Sequence, residues 1–315
     1  MSDSKRIILC PGQGAQAVGM GKAWFERSPD AARTFGAADE IIGDRFGARL
    51  SDLCFNGPAD TLNRTDVAQP AIYTASVACF QALFSDADHA SFAAFAGLSL
   101  GEYSALHLAG AFSFADGLEL VALRGQAMQE AAESAESTMV AVIGSDEATV
   151  RQLCADAAGD QPLVPANFNA PGQIVISGGV DACARAVELA GERGMRATAL
   201  TVAGAFHSPY MQPAADRLAA ALEKVDILSP QIHVISNVTG KPYFDTEQTG
   251  TDIREVIRTR LVEQLTSPVL WAQGCEWLVS NIPGEYHELA PGKVLSGLMR
   301  RIDRSTKVKN HDQPS

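Results

Sequence analysis

The sequence predicts an α/β fold, in which a larger unit with a parallel sheet is interrupted by a small second unit. Three observations carry this. A short apolar run, Ile7 to Leu9, is stopped by Pro11-Gly12-Gln13-Gly14, the glycine-rich turn that follows the first strand of open α/β sheets. From Thr138 the elements become short and run β-α-β-β-α-β. After Gly204 longer helices and strands return.

Trp24 to Phe46 and Pro70 to Phe84 read as helices, the second alanine-rich and apolar nearly all round, which predicts burial. Ser91 to Ala96 reads as a strand, followed by Gly97-Leu98-Ser99-Leu100-Gly101 and a helix to about Leu108. Phe114 to about Ala132 is another helix, with Leu118, Val121 and Ala122 on its apolar face. In the small unit, Met139 to Ile143 is a strand and Asp146 to Ala157 a helix. Leu163 to Phe168 and Gln173 to Ser177 are strands joined through Asn169-Ala170-Pro171-Gly172. Asp181 to Gly191 is a helix and Arg196 to Val202 the last strand, which completes a split-βαβ, or ferredoxin-like, unit. Met211 to Val225, Ile232 to Asn237, Ile253 to Leu265 and Trp271 to Ile282 supply the returning helices and strands. The domain assignment is therefore 1–134 with 204–315, and 135–203 inserted between them. There is no internal repeat, and the polar tail from Ser305 reads as loose.

A length of 315 residues suits two domains and buries enough surface to fold without disulfide or metal staples. With 25 basic and 37 acidic side chains the net charge is −12, which argues against a nucleic-acid partner. No apolar run reaches the ~18 residues of a membrane span; Thr74, Ser76 and Gln81 break the longest, Ala71 to Phe84. Met1 to Cys10 is too short an apolar start for a signal peptide. Cys10, Cys54, Cys79, Cys154, Cys183 and Cys275 lie far apart, without CxxC spacing for zinc, and read as reduced thiols of a cytoplasmic protein.

The sharpest chemical feature is G-x-S-x-G between a strand and a helix. Such a nucleophile elbow lifts the Ser99 hydroxyl out of the sheet and points the Leu100 amide at a developing oxyanion. An ordinary glycine-rich turn with a capping serine is the plainer reading. A serine nucleophile needs a base within hydrogen-bond reach. His89 and His311 read as solvated, and His107 lies about 12 Å beyond Ser99 along its helix. His233 and His287 fall in strand-like stretches. His207, in Gly204-Ala205-Phe206-His207-Ser208-Pro209, sits in the loop that re-enters the larger unit, where either a base or a structural histidine fits. No acid stands out to orient it, and a backbone or amide carbonyl would also serve. Gly12-Gln13-Gly14 lacks the spacing of a phosphate loop but offers a second backbone amide. Arg124, on a mostly apolar helix, is either a surface arginine or a planar fork awaiting a buried carboxylate.

Together these motifs resemble the malonyl-CoA:acyl-carrier-protein transacylase family, either its stand-alone fatty-acid form or the trans-acting acyltransferase of polyketide synthases. The likeness runs through Cys10 to Gln16, Gln69-Pro70-Ala71, the elbow and Leu123-Arg124-Gly125. It continues through Asn167 to Gln173, Gly204 to Pro209, Asn237-Val238-Thr239-Gly240 and Glu288 to Leu295. It implies an α/β-hydrolase-like large domain with an inserted ferredoxin-like one. It further implies Ser99 as the acylated nucleophile, His207 as its base, and the Gln264 backbone carbonyl as the group that orients the histidine. The amides of Gln13 and Leu100 would form the oxyanion hole, and Arg124 would pair with the malonyl carboxylate. Gln69, Met128, Phe206 and Asn167 would line the acyl pocket. The implied partners are a coenzyme A thioester and an acyl carrier protein, with no cofactor or metal, on a monomeric enzyme. One position departs: Leu98 stands where the elbow usually carries a histidine that helps hold the acyl group. With Tyr103, it resembles the polyketide branch, which includes acyl hydrolases that generally lack the arginine; the presence of Arg124 favours transfer. A non-catalytic carrier-binding module is the third reading, and an intact Ser99 and His207 count against it.

Overall fold

The computed structural model describes residues 5–244 and 252–314. Met1 to Ser4, part of the stretch judged too short for a signal peptide, lie outside the described residues. In chain order the elements are β1 (Arg6–Cys10), α1 (Lys22–Arg27), α2 (Pro29–Ile42), α3 (Leu50–Asn56), α4 (Ala59–Leu62) and α5 (Thr65–Phe84). Next come β2 (Phe92–Gly97), α6 (Gly101–Leu108) and α7 (Phe114–Glu133). The segment that follows holds β3 (Ser137–Ile143), α8 (Glu147–Ala157), β4 (Leu163–Ala170), β5 (Gln173–Gly179), α9 (Val180–Glu192) and β6 (Arg196–Ala199). The chain closes with α10 (Gln212–Leu222), β7 (His233–Ser236), β8 (Lys241–Pro242), α11 (Ile253–Glu263), α12 (Trp271–Asn281), β9 (Glu285–Leu289), α13 (Val294–Ile302) and β10 (Val308–His311).

Two sheets result. The first has the order β10-β9-β1-β2-β7-β8, parallel except for the antiparallel edge strand β8. Its side chains alternate between two cores, as the two-residue period of a strand requires. Ile8, Cys10 and Phe95 face the cluster under α5 and α7, whereas Ile7, Leu9, Ala94 and Ala96 face α12 and α13; Phe92, beyond a register shift at the start of the β1–β2 pairing, also joins the first cluster. The second sheet, β4-β5-β3-β6, is antiparallel and carries α8 and α9 on one face, the strand order of a split-βαβ unit.

Five expectations are corrected. The helix read as Trp24 to Phe46 is two helices: Ser28 breaks it, accepting from the Ala31 amide, and Pro29 opens α2. The helix read from Pro70 begins at Thr65, with Pro70 inside it; complete burial of Thr65 to Phe80 outweighs the lost proline N–H. The strand read to Val202 stops at Ala199. The tail expected to be loose forms β10, paired along β9, and the His311 carbonyl accepts from Trp24 Nε1 at 3.0 Å. His311 is accordingly half-buried, stacked on His287 at a ring separation of 5.2 Å, and not solvated. Among the described residues one helix, α5, has the length and apolarity to cross a membrane, and it lies packed within the core.

Candidate active site

The turns that follow the strands gather at the carboxyl edge of the parallel sheet, where open α/β sheets place their ligands. The turn after β1 supplies Gln13, the turn after β2 supplies Ser99, and the turn after β7 supplies Asn237. The elbow is crowded enough to demand its glycines. A Cβ on Gly97 would lie 1.9 Å from the Gly101 carbonyl, and one on Gly101 would lie 2.1 Å from the Cys10 carbonyl oxygen. Ser99 pays in backbone strain, with φ +52°, and His207 has φ +56°. Asn237 braces the turn: its Oδ1 accepts the Ser99 amide at 2.6 Å and its Nδ2 donates to the Gly97 carbonyl at 2.8 Å.

Ser99 and His207, 108 positions apart in sequence, meet at 2.8 Å, Oγ to Nε2. His207 Nδ1 lies 2.7 Å from the Gln264 carbonyl oxygen, which can only accept, so Nδ1 carries the proton and Nε2 presents its lone pair to the serine. Burial first, and the Arg124 charge second, pull the His207 pKa down to about 4, against the opposing bond from Gln264. The imidazole is therefore neutral at pH 7 and competent as a base.

Arg124 is buried, only 1% exposed, in the middle of α7. Its Nη1 donates to Gln69 Oε1 at 2.6 Å, and Nη2 donates to Gln264 Oε1 at 2.9 Å and to Ser99 Oγ at 3.1 Å. The guanidinium carbon lies 5.4 Å from the Tyr103 ring centre, and Nε is buried without a partner. Close packing of α7 on α5 makes this reach possible, since a Cβ on Gly125 would come within 2.7 Å of the Thr65 carbonyl oxygen.

A cavity of about 600 Å³ opens onto Ser99 and His207. Gln13, Leu98, Met128, Asn167 and Phe206 line it, as does Leu200 to Ala203, the stretch freed when β6 ends early. Gln69, expected in the lining, is instead fully buried behind it, where it holds Arg124 and donates through Nε2 to Met128 Sδ at 3.4 Å. Leu100 is buried at the start of α6. Among the described residues neither its amide nor that of Gln13 is spent on another backbone group. Gln264 contributes more than the expected carbonyl: its side chain bonds Arg124, the Ser99 carbonyl and Glu102. Asn237, Tyr243 and Glu102 are functional neighbours that sequence reasoning did not assign. Asn237 stood within a recognised motif, whereas Tyr243 had no local signal.

Fold and site define an α/β protein with a serine on an elbow, hydrogen-bonded to a histidine that a main-chain carbonyl holds. The chain belongs to the acyl transferase domain family, whose profile it matches over residues 7–310. It is 42% identical over 307 residues to the malonyl CoA-acyl carrier protein transacylase of Bacillus subtilis, covering 97% of this chain and 92% of that protein. Among solved structures it resembles the Xanthomonas oryzae malonyl-CoA:acyl carrier protein transacylase at 42% identity, with a TM-score of 0.90 over 100% of this chain and 96% of that one. A malonyl-transacylase solved in complex with its type II polyketide acyl carrier protein superposes with a TM-score of 0.90, at 36% identity, over 99% and 97% of the two chains.

Proposed function

We propose that the protein moves a malonyl group from malonyl-CoA to the phosphopantetheine thiol of an acyl carrier protein, in fatty-acid or polyketide synthesis. The observation that carries this is Arg124: a buried cation beside the serine hydroxyl, with an unpartnered N–H and only neutral oxygens bonded to it. Such a fork recognises a carboxylate next to the reacting carbon.

The reaction is ping-pong. His207 Nε2 takes the Ser99 proton as Oγ attacks the thioester carbonyl, and the amides of Gln13 and Leu100 receive the oxyanion. The tetrahedral intermediate collapses, coenzyme A leaves as its thiol, and His207 returns the proton to it. The carrier thiol then enters, gives its proton to His207 and attacks the acyl carbon; as the Ser99 ester bond breaks, His207 returns that proton to Ser99 Oγ and the malonyl group leaves on the carrier. The Gln264 carbonyl keeps the imidazole in the required tautomer throughout. This chemistry draws on the two thioester partners alone, with no metal or redox cofactor, and suits a monomer in the cytoplasm.

The carrier is acidic on this reading, so its docking surface on a protein of net charge −12 has to be local. Arg300, Arg301, Arg304 and Lys307 gather with Pro171 around a groove at the end of α13, whose other end lines the substrate cavity through Val294 and Leu298. Lys309, two positions beyond Lys307, is paired with Glu285 at 2.6 Å and is left out of the patch. Incubation with a panel of acyl-CoAs, read by intact mass of the acyl-enzyme, tests the assignment: malonyl should load in preference to acetyl. Equal or better loading by neutral acyl groups would overturn it.

A further inference from the structure

Glu102, the second residue of α6, is fully buried beneath the elbow. Its Oε1 accepts from the Tyr243 hydroxyl at 2.6 Å and from the Asn237 amide at 3.1 Å, and its Oε2 accepts from Gln264 Nε2. The same Gln264 side chain turns its Oε1 to Arg124. Guanidinium and carboxyl thus sit on opposite ends of one amide, the cation on its oxygen and the acid on its nitrogen. Among the described residues Arg124 meets no carboxylate directly, and a buried cation without a counter-charge is costly. The titratable or charged groups facing Glu102 are Tyr103 from its own helix, Arg124 from α7 and Tyr243 from beyond β8.

We propose that Glu102 is the counter-ion of Arg124 in the empty site and takes up a proton when the carboxylate of the incoming acyl group settles on Arg124. This rests on the malonyl reading above. Before binding, the cluster holds one cation and one anion. A second carboxylate would leave two anions in a dry site, which raises the affinity of Glu102 for a proton. The proton comes from the buffer and forms an O–H bond on Oε1; no bond in the substrate breaks. The network has room for it, because the Tyr243 hydroxyl can turn its own proton toward Ser236 and accept from Glu102. Burial already holds the Glu102 carboxyl up to about 7, where a modest push changes its charge.

Titration calorimetry of Ser99→Ala protein with malonyl-CoA, at about pH 8 in two buffers of different ionisation enthalpy, reads the protons taken up on binding. Uptake approaching about one proton is expected for malonyl-CoA, none for acetyl-CoA, and none for malonyl-CoA once Glu102→Gln is added. No uptake with malonyl-CoA, or full uptake that persists with Glu102→Gln, overturns the proposal while leaving the malonyl reading intact. Binding of malonyl-CoA no tighter than acetyl-CoA removes the Arg124 assignment and this inference with it. Should the Glu102 variant fail to fold, infrared difference spectra of Ser99→Ala protein labelled with carbon-13 glutamate read the same proton. A protonated glutamic acid band must then appear on malonyl-CoA binding, and its absence refutes the assignment.

Discussion

Arg124 Nη2 donates to Ser99 Oγ across 3.1 Å, so the cation assigned to the substrate's carboxylate touches the hydroxyl assigned to attack. Recognition and chemistry are thereby set within one hydrogen bond of each other. An acyl group whose carboxylate docks on Arg124 presents its thioester carbon close to Oγ, and a neutral acyl group lacks that guide.

Arg124→Ala should therefore lower kcat/KM for malonyl-CoA while sparing acetyl-CoA. A carboxylate left unpaired in a buried site costs roughly 1–3 kcal/mol, or about 5- to 150-fold in the malonyl-to-acetyl ratio. Steady-state acylation rates for the two substrates give the ratio. Equal losses for both would make Arg124 a structural brace of Gln69 and Gln264.

The pH dependence follows from two buried groups of opposite sign. His207 is held down to about 4, below its ordinary 6.5, so the unfolded chain binds its proton first and the contribution to stability shrinks as pH falls from 6.5 toward 4. Glu102 is held up to about 7, above its ordinary 4.5, so its contribution is present below 4.5 and is lost as pH rises through 7. The two slopes oppose each other between about 4.5 and 6.5. Removing the imidazole with His207→Ala leaves the Glu102 slope alone. The Tm of the variant should gain on wild type as the buffer is taken from pH 7 to pH 5. A difference in Tm that stays flat would mean that His207 titrates normally.

Much of this site could be read from the chain, and the reason is local. The elbow needs glycines at 97 and 101 and a strand and a helix around them, all within the one segment Phe92 to Leu108. His207 lies in a distinctive re-entry loop, and its tie to Gln264 came only through family likeness. The Glu102 network was not legible, because its members come from positions 102, 237, 243 and 264 on four separate segments with no shared pattern. The tail misled for the opposite reason. Val308 to His311 is only four residues of mixed polarity, and it becomes a strand because β9 offers it an edge.

Leu98 lines the cavity next to Ser99, where the resemblance leads one to expect a histidine. Leu98→His should raise the preference for malonyl-CoA over methylmalonyl-CoA and acetyl-CoA in a competition assay. An unchanged ratio would assign the selectivity to Arg124 and Phe206 alone.

Reversing Arg300, Arg301 and Arg304 to Glu should raise the KM for holo-carrier protein and leave acylation by malonyl-CoA nearly unchanged. All three side chains are exposed and clear of Ser99, so the effect should be one of encounter. The advantage of wild type should shrink with added salt as the charges are screened. A carrier KM that does not move at low ionic strength would take this patch out of the interface.

The central claim is that the acyl group passes through Ser99. Intact mass spectrometry after a brief exposure to malonyl-CoA tests it most directly, with wild type and Ser99→Ala side by side. Wild type should gain the mass of one malonyl group, and the adduct should disappear when holo-carrier protein is added. The variant should gain nothing. A malonyl adduct of equal yield on Ser99→Ala would contradict the account.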